Sequence, residues 1–141
     1  MKNVQCLLFI LLSATVISAQ IRPVGGVSKG KKNAAVQYGT ASFYANKFQG
    51  RPTSSGELYD KNKMTCAHNS LPLGTWLKVT NLRNKKFVFV RVTDRLHHNN
   101  KRLVDLSRIA ASKLGYLKRG LTRVKVEVLN KQPASKHLNT R

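Results

Sequence analysis

Acidic residues are scarce. The 141-residue chain carries five Asp and Glu against 26 Lys and Arg, for a formal charge of +21. Acid/base chemistry by carboxylates is therefore confined to Glu57, Asp60, Asp94, Asp105 and Glu127. Cysteine is nearly as rare, with Cys6 and Cys66 alone. Cys6 falls in an apolar leader, and a single remaining thiol excludes an intramolecular disulfide, so the fold must hold by packing. Cys66 reads as a small buried hydrophobe rather than a nucleophile. No second Cys/His cluster exists. His97 and His98 are adjacent and on extended chain point to opposite sides, a poor chelate, so no metal and no cofactor are expected. The few aromatics are not interleaved with the basic residues, which argues against a stacking surface for nucleic acid. No internal repeat and no second domain are visible.

The apolar stretch near the start has a specific form. Lys2 precedes a mostly apolar run from Val4 to Ile17, and Ser18-Ala19 supply small residues before Gln20. Residues 1–19 thus read as a secretory signal peptide, too short and too weakly flanked for a membrane anchor. The protein is expected to be exported, to the periplasm or beyond the cell. Cys6 lies near the start of the apolar run, not at its end, so no lipid anchor is expected. Cleavage after Ala19 removes only the one charge of Lys2, leaving +20. A field of that sign favours an anionic partner such as a cell-envelope polymer, lipid headgroups or nucleic acid. Export argues against the last, and the expected assembly is a monomer.

Residues 20–35 hold Pro23, Gly25-Gly26 and the basic run Lys29 to Lys32, and read as a flexible linker. Residues 130–141 are a polar tail. Between them, residues 36–129 form one domain with mainly β signals. Val36 to Tyr44 has β-formers around Gly39, and Trp76 to Thr80 is a short strand. Lys86 to Thr93 is almost continuously apolar, as in a strand buried on both faces. Asn81 to Lys85 is a plausible hairpin turn between them. Thr122 to Leu129 alternates, with Val124, Val126 and Val128 on one face and Arg123, Lys125 and Glu127 on the other. One helix is predicted over Arg108 to Leu114, with Ser107 as N-cap and Gly115 closing it. Short strands, one short helix and many turns indicate a small β-barrel.

Five ordered segments carry a resemblance. They are Gly39-Thr40-Ala41-Ser42-Phe43-Tyr44; the loop from Phe48 through Gly50 and Ser54-Ser55-Gly56-Glu57 to Asp60; Thr65-Cys66-Ala67-His68 with Leu71-Pro72-Leu73-Gly74; Val79-Thr80-Asn81-Leu82; and Val90-Arg91-Val92-Thr93-Asp94-Arg95 with Leu103-Val104-Asp105-Leu106-Ser107. Together they resemble the rare lipoprotein A family. The resemblance implies a mainly β fold, a six-stranded double-psi β-barrel with one short helix, an architecture shared with expansins. It also implies peptidoglycan lytic transglycosylase activity, in which glycan strands are cut after N-acetylmuramic acid and the muramoyl C6 hydroxyl closes a 1,6-anhydro ring.

Carried over by position, the family's two carboxylates fall on Glu57 and Asp94. Asp94 is expected to be the acid/base, with burial at the strand end raising its pKa. Glu57 is its partner, steadying an oxocarbenium-like transition state, although the sequence also permits the reverse. His68 matches a histidine near the family's cleft, to bond substrate or carboxylate or to serve as a structural imidazole. Tyr44, Asp60 and Arg95 are expected to bind substrate or support the site, with Asp60 bonding the Glu57 loop. Asp105 is expected to order the start of the helix, and Glu127 to be a surface charge. Two departures stand out: Asp94-Arg95 is followed by Leu96-His97 where the family has Gly-Pro, and neither a lipid-attachment cysteine nor a peptidoglycan-binding repeat domain is seen. The alternative function is an expansin-like module that grips a wall polysaccharide without cutting it.

Overall fold

Strands of three to eight residues bury little unless they close on one another. In the computed structural model, which describes residues 35–134, they do. The expected leader, nearly all of the linker and most of the tail lie outside the described residues. Six strands are formed: β1 (Val36–Phe43), β2 (Thr65–His68), β3 (Trp76–Asn81), β4 (Phe87–Asp94), β5 (Val104–Leu106) and β6 (Thr122–Leu129). They make a closed barrel in the order β1-β5-β2-β4-β3-β6. The β1–β5 and β2–β4 pairs are parallel, and the other four are antiparallel. Closure satisfies each strand on both sides and leaves no open edge.

The core is small and mostly aliphatic, with Tyr116 as its buried aromatic. Leu77 and Val79, then Val88, Val90 and Val92, then Val124 and Val126 point inward from β3, β4 and β6, and Val104, Leu106, Ala41 and Cys66 complete the filling. The alternation expected of β6 is present. β4 differs from its expectation. From Phe87 to Val92 it buries alternate residues only, leaving Phe87 exposed and Phe89 half-buried on the outer face. There the two rings meet edge to face at 5.6 Å, and the Lys78 ammonium sits 4.6 Å from the Phe87 ring centre. The apolar run reflects mutual cover by neighbouring side chains, not burial on both faces.

Helix α1 (Arg108–Leu114) begins and ends where its capping residues place it. The Ser107 hydroxyl accepts from the Ala110 amide, and Gly115 takes the left-handed conformation at φ 76°. Ala110, Ala111 and Leu114 are fully buried, packing the helix against the barrel at β4 and β1. The β3–β4 hairpin is tied to the end of α1 by Asn81, whose amide donates to the Leu114 carbonyl at 3.0 Å and whose oxygen accepts from Thr122 at 2.9 Å.

Candidate active site

The end of β4 is irregular. Opposite β2, Cys66 pairs with Val92 but Ala67 pairs with Asp94, so Thr93 is an extra residue. Such a bulge interrupts strict alternation and re-aims the next side chain, and here that side chain is Asp94. The loop between Arg51 and Tyr59 folds back on itself. Pro52 and Leu58 form a bridge, the Thr53 amide donates to the Glu57 carbonyl at 2.9 Å, and Gly56 supplies the positive φ of 85° that the tight turn needs.

This loop docks along β4. The Ser55 amide donates to the Thr93 carbonyl at 2.9 Å. Ser54 gives Asp94 Oδ1 two bonds, from its amide at 3.0 Å and its hydroxyl at 2.7 Å. Three residues along the same loop, Glu57 receives a bidentate pair from Arg91 Nη2 at 2.9 and 2.8 Å. Residues 54–57 thus hold one carboxylate directly and carry the other, both against residues 91–94 of one strand.

Asp94 is half-buried and heavily solvated by protein donors. Its Oδ1 accepts from Ser54 twice and from the Arg95 amide at 2.8 Å, while Oδ2 accepts from the Tyr44 hydroxyl at 2.7 Å. Burial pushes its pKa up, as the sequence suggested. The bonds from the Ser54 side chain, Tyr44, and the Ser54 and Arg95 amides outweigh it, and the carboxyl is held below its ordinary value. The expectation of a raised pKa in the free protein is therefore corrected. Tyr44 is itself fixed. It stacks on Tyr59 at 4.4 Å and meets Phe48 edge to face at 5.9 Å. Burial and the neighbouring Asp94 carboxylate drive its own pKa far upward, so its hydroxyl remains a donor.

Glu57 is more open, with 45% of its side chain exposed, and its ion pair with Arg91 is a surface one. His68 is buried with both ring nitrogens engaged. Nδ1 accepts from the Ser70 and Leu71 amides at 3.2 and 3.3 Å, so the proton sits on Nε2, which donates to Gln37 Oε1 at 3.0 Å. Burial and then Arg95 lower its pKa, which keeps the ring neutral. Its link to the site is through its own carbonyl, which accepts from Arg95 Nη1 at 3.3 Å. Asp60 does not bond the Glu57 loop. Its Oδ1 accepts from the Asn62 amide at 2.9 Å and orders the next turn. Asp105 does not order the helix start either. It pairs bidentately with Arg102, both bonds at 2.8 Å, while Ser107 and the Tyr59 hydroxyl serve the helix. Glu127 pairs with Lys125 at 3.2 Å on the outer face of β6. Cys66 is fully buried and its thiol pKa is raised by that burial.

Ser54, Arg91 and Gln37 were not singled out from the sequence. Arg91 did carry a signal, as the lone charge inside an otherwise apolar strand. Ser54 and Gln37 carried none, because their partners lie 40 and 31 residues away.

Comparison with known proteins supplies the lineage. Residues 36–126 match the family model described as "Lytic transglycolase". The endolytic peptidoglycan transglycosylase RlpA of Neisseria meningitidis is 43% identical over 107 residues, covering 74% of this chain and 45% of the relative. RlpA of Pseudomonas aeruginosa is 54% identical over 89 residues, covering 63% of this chain and 26% of the relative. The chain thus spans less than half the length of these curated relatives. Among solved structures, the Streptomyces papain inhibitor superposes with a TM-score of 0.56 at 19% identity, over 70% of this chain and 98% of that one. Apo Clavibacter michiganensis expansin does so with a TM-score of 0.56 at 24% identity, over 72% of this chain and 53% of that one. These two likenesses concern the fold. The closed barrel, the docked loop and the family match together place this chain in the RlpA-like lytic transglycolase family of double-psi β-barrels.

Proposed function

We propose that this chain is an exported peptidoglycan lytic transglycosylase that cleaves glycan strands to 1,6-anhydromuramoyl products, acting in the periplasm or outside the cell. The observation that carries the reading is the single loop that fixes both Asp94 and Glu57 along the end of β4.

In this reading Asp94 is the acid/base. A glycan laid over the half-buried carboxyl covers its exposed side and displaces water. That strengthens burial, already the largest single influence on its pKa, and favours the protonated form in the complex. The proton passes to the glycosidic oxygen as the C1–O bond breaks. The resulting carboxylate then takes the proton of the muramoyl C6 hydroxyl as C6–O bonds to C1, so the proton returns to Asp94 and no water is consumed. Glu57, oriented by Arg91, supplies negative charge beside the oxocarbenium-like centre. Tyr44 and Ser54 position Asp94, and Arg95 joins the Asp94 loop to the buried His68 turn.

The test is incubation of the purified protein with peptidoglycan and mass spectrometry of released fragments. Wild type should generate 1,6-anhydromuramoyl ends and Asp94→Asn should not. Wild type that pellets with insoluble wall yet forms no such ends would leave only a wall-binding role.

A further inference from the structure

Every acidic side chain of the protein has a partner in the fold. Glu57 holds Arg91, Asp105 holds Arg102, Glu127 lies with Lys78 and Lys125, Asp60 caps a turn and Asp94 accepts from Tyr44, Ser54 and Arg95. None reaches Arg83, Arg119 or Arg123. These three arginines come from separate elements: the β3–β4 hairpin, the turn between α1 and β6, and β6 itself. They line one hollow of about 430 Å³ together with Thr40, Leu82 and Leu121. Its frame is preformed. The Leu82 amide donates to the Arg123 carbonyl at 3.0 Å, and the buried Asn81 bonds both the end of α1 and Thr122.

Three arginines and no acidic side chain line this one hollow, a charge balance that favours an anionic occupant. A carboxylate would bring one charge, whereas a phosphomonoester brings about −1.5 to −2 and three acceptor oxygens suited to the forked guanidinium. The hollow is of small-ligand size, far larger than a bare phosphate. Leu121, which is 50% exposed, and Leu82 offer an apolar wall for a body attached to that phosphate. We propose that this hollow is a binding site for a phosphomonoester borne on a sugar-sized body. It is separate from the Asp94 site. The hairpin precedes Phe87, and β4 runs roughly 23 Å from there to Asp94.

Titration calorimetry with glucose 6-phosphate, near physiological ionic strength, tests the site. Binding should be at least about tenfold tighter than that of glucose or inorganic phosphate, since phosphate and body both contribute. The triple variant R83Q/R119Q/R123Q should lose at least about tenfold in affinity. The charge-matched triple K47Q/K101Q/K131Q should bind as wild type does. Equal loss in both triples would mean a diffuse field and overturn the proposal, as would inorganic phosphate binding as well as the phosphosugar. Wild-type amide resonances give a second measure that depends on no variant folding. Glucose 6-phosphate should shift Thr40, Leu82 and Leu121, and shifts confined to other residues would overturn the site.

Discussion

Replacing Tyr44 by Phe removes one hydroxyl and little else. The ring keeps its stack on Tyr59 and its edge contact with Phe48, while Asp94 Oδ2 loses its 2.7 Å donor. A hydrogen bond to a charged group contributes about 1.5–3 kcal/mol. Asp94 is only half-buried, so solvent screening brings the expected loss below that range, to about 1 kcal/mol. The bond favours the ionised form, so its loss moves the protonation equilibrium roughly fivefold toward the neutral acid. The Asp94 carboxyl resonance, followed by NMR against pH, should titrate at higher pH in Tyr44→Phe than in wild type. Stability follows by linkage. Because the folded pKa is depressed, the ionised Asp94 contributes stability above the ordinary carboxylate range, and this is lost as pH falls through the folded pKa. Urea unfolding near neutral pH should therefore show the variant about 1 kcal/mol less stable. The gap should close at acid pH, where Asp94 is neutral in both proteins. An unmoved or lowered Asp94 midpoint, or a stability gap that persists in acid, would refute the claim that Tyr44 holds the carboxylate charged.

Other expectations follow from the same geometry. Arg91→Met should cost under about 1 kcal/mol of stability, because the Glu57 pair is a surface one, yet sharply reduce formation of anhydro ends; unchanged product release would show that Arg91 does not orient Glu57. Asp94 should bind its proton more tightly under substrate, so the alkaline fall of kcat should lie at higher pH than that of kcat/KM, and coincident profiles would contradict this. A methyl group at Gly39 would stand 2.6 Å from Leu103 Cβ, so Gly39→Ala should destabilise by about 1–3 kcal/mol in urea unfolding. Asn81→Ala should cost about 1–3 kcal/mol by the same assay, since it leaves the Arg83 amide and the buried Thr122 hydroxyl without their partner and the Leu114 carbonyl with Asn84 alone.

How much of this was legible depended on the range of the interaction. The helix was readable to the residue because Ser107 and Gly115 act on amides and carbonyls within one turn. β6 was readable because its valines alternate with charges. β4 misled, since Phe87 and Phe89 cover each other and accept Lys78 on the outer face, which a one-dimensional pattern cannot distinguish from burial. β2 and β5 carried no strand signal of their own. They are four and three residues long, and β2 is buried at every position, so no alternation appears. The two carboxylates were named from the family resemblance, but the sign of the Asp94 shift was not readable. Burial follows from a strand end, whereas the donors that reverse it come from Ser54 and Tyr44, 40 and 50 residues away. Asp60 and Asp105 were assigned to the nearest plausible neighbour and instead bond the adjacent turn and Arg102.

The central claim is that Asp94 returns the C6 hydroxyl of the sugar, and not water, to the broken bond. Digestion of purified peptidoglycan in water enriched in oxygen-18 measures this directly. The account predicts new chain ends that are 1,6-anhydro and free of the heavy isotope, and their absence with Asp94→Asn. Heavy oxygen at the new ends would mean hydrolysis and would contradict it.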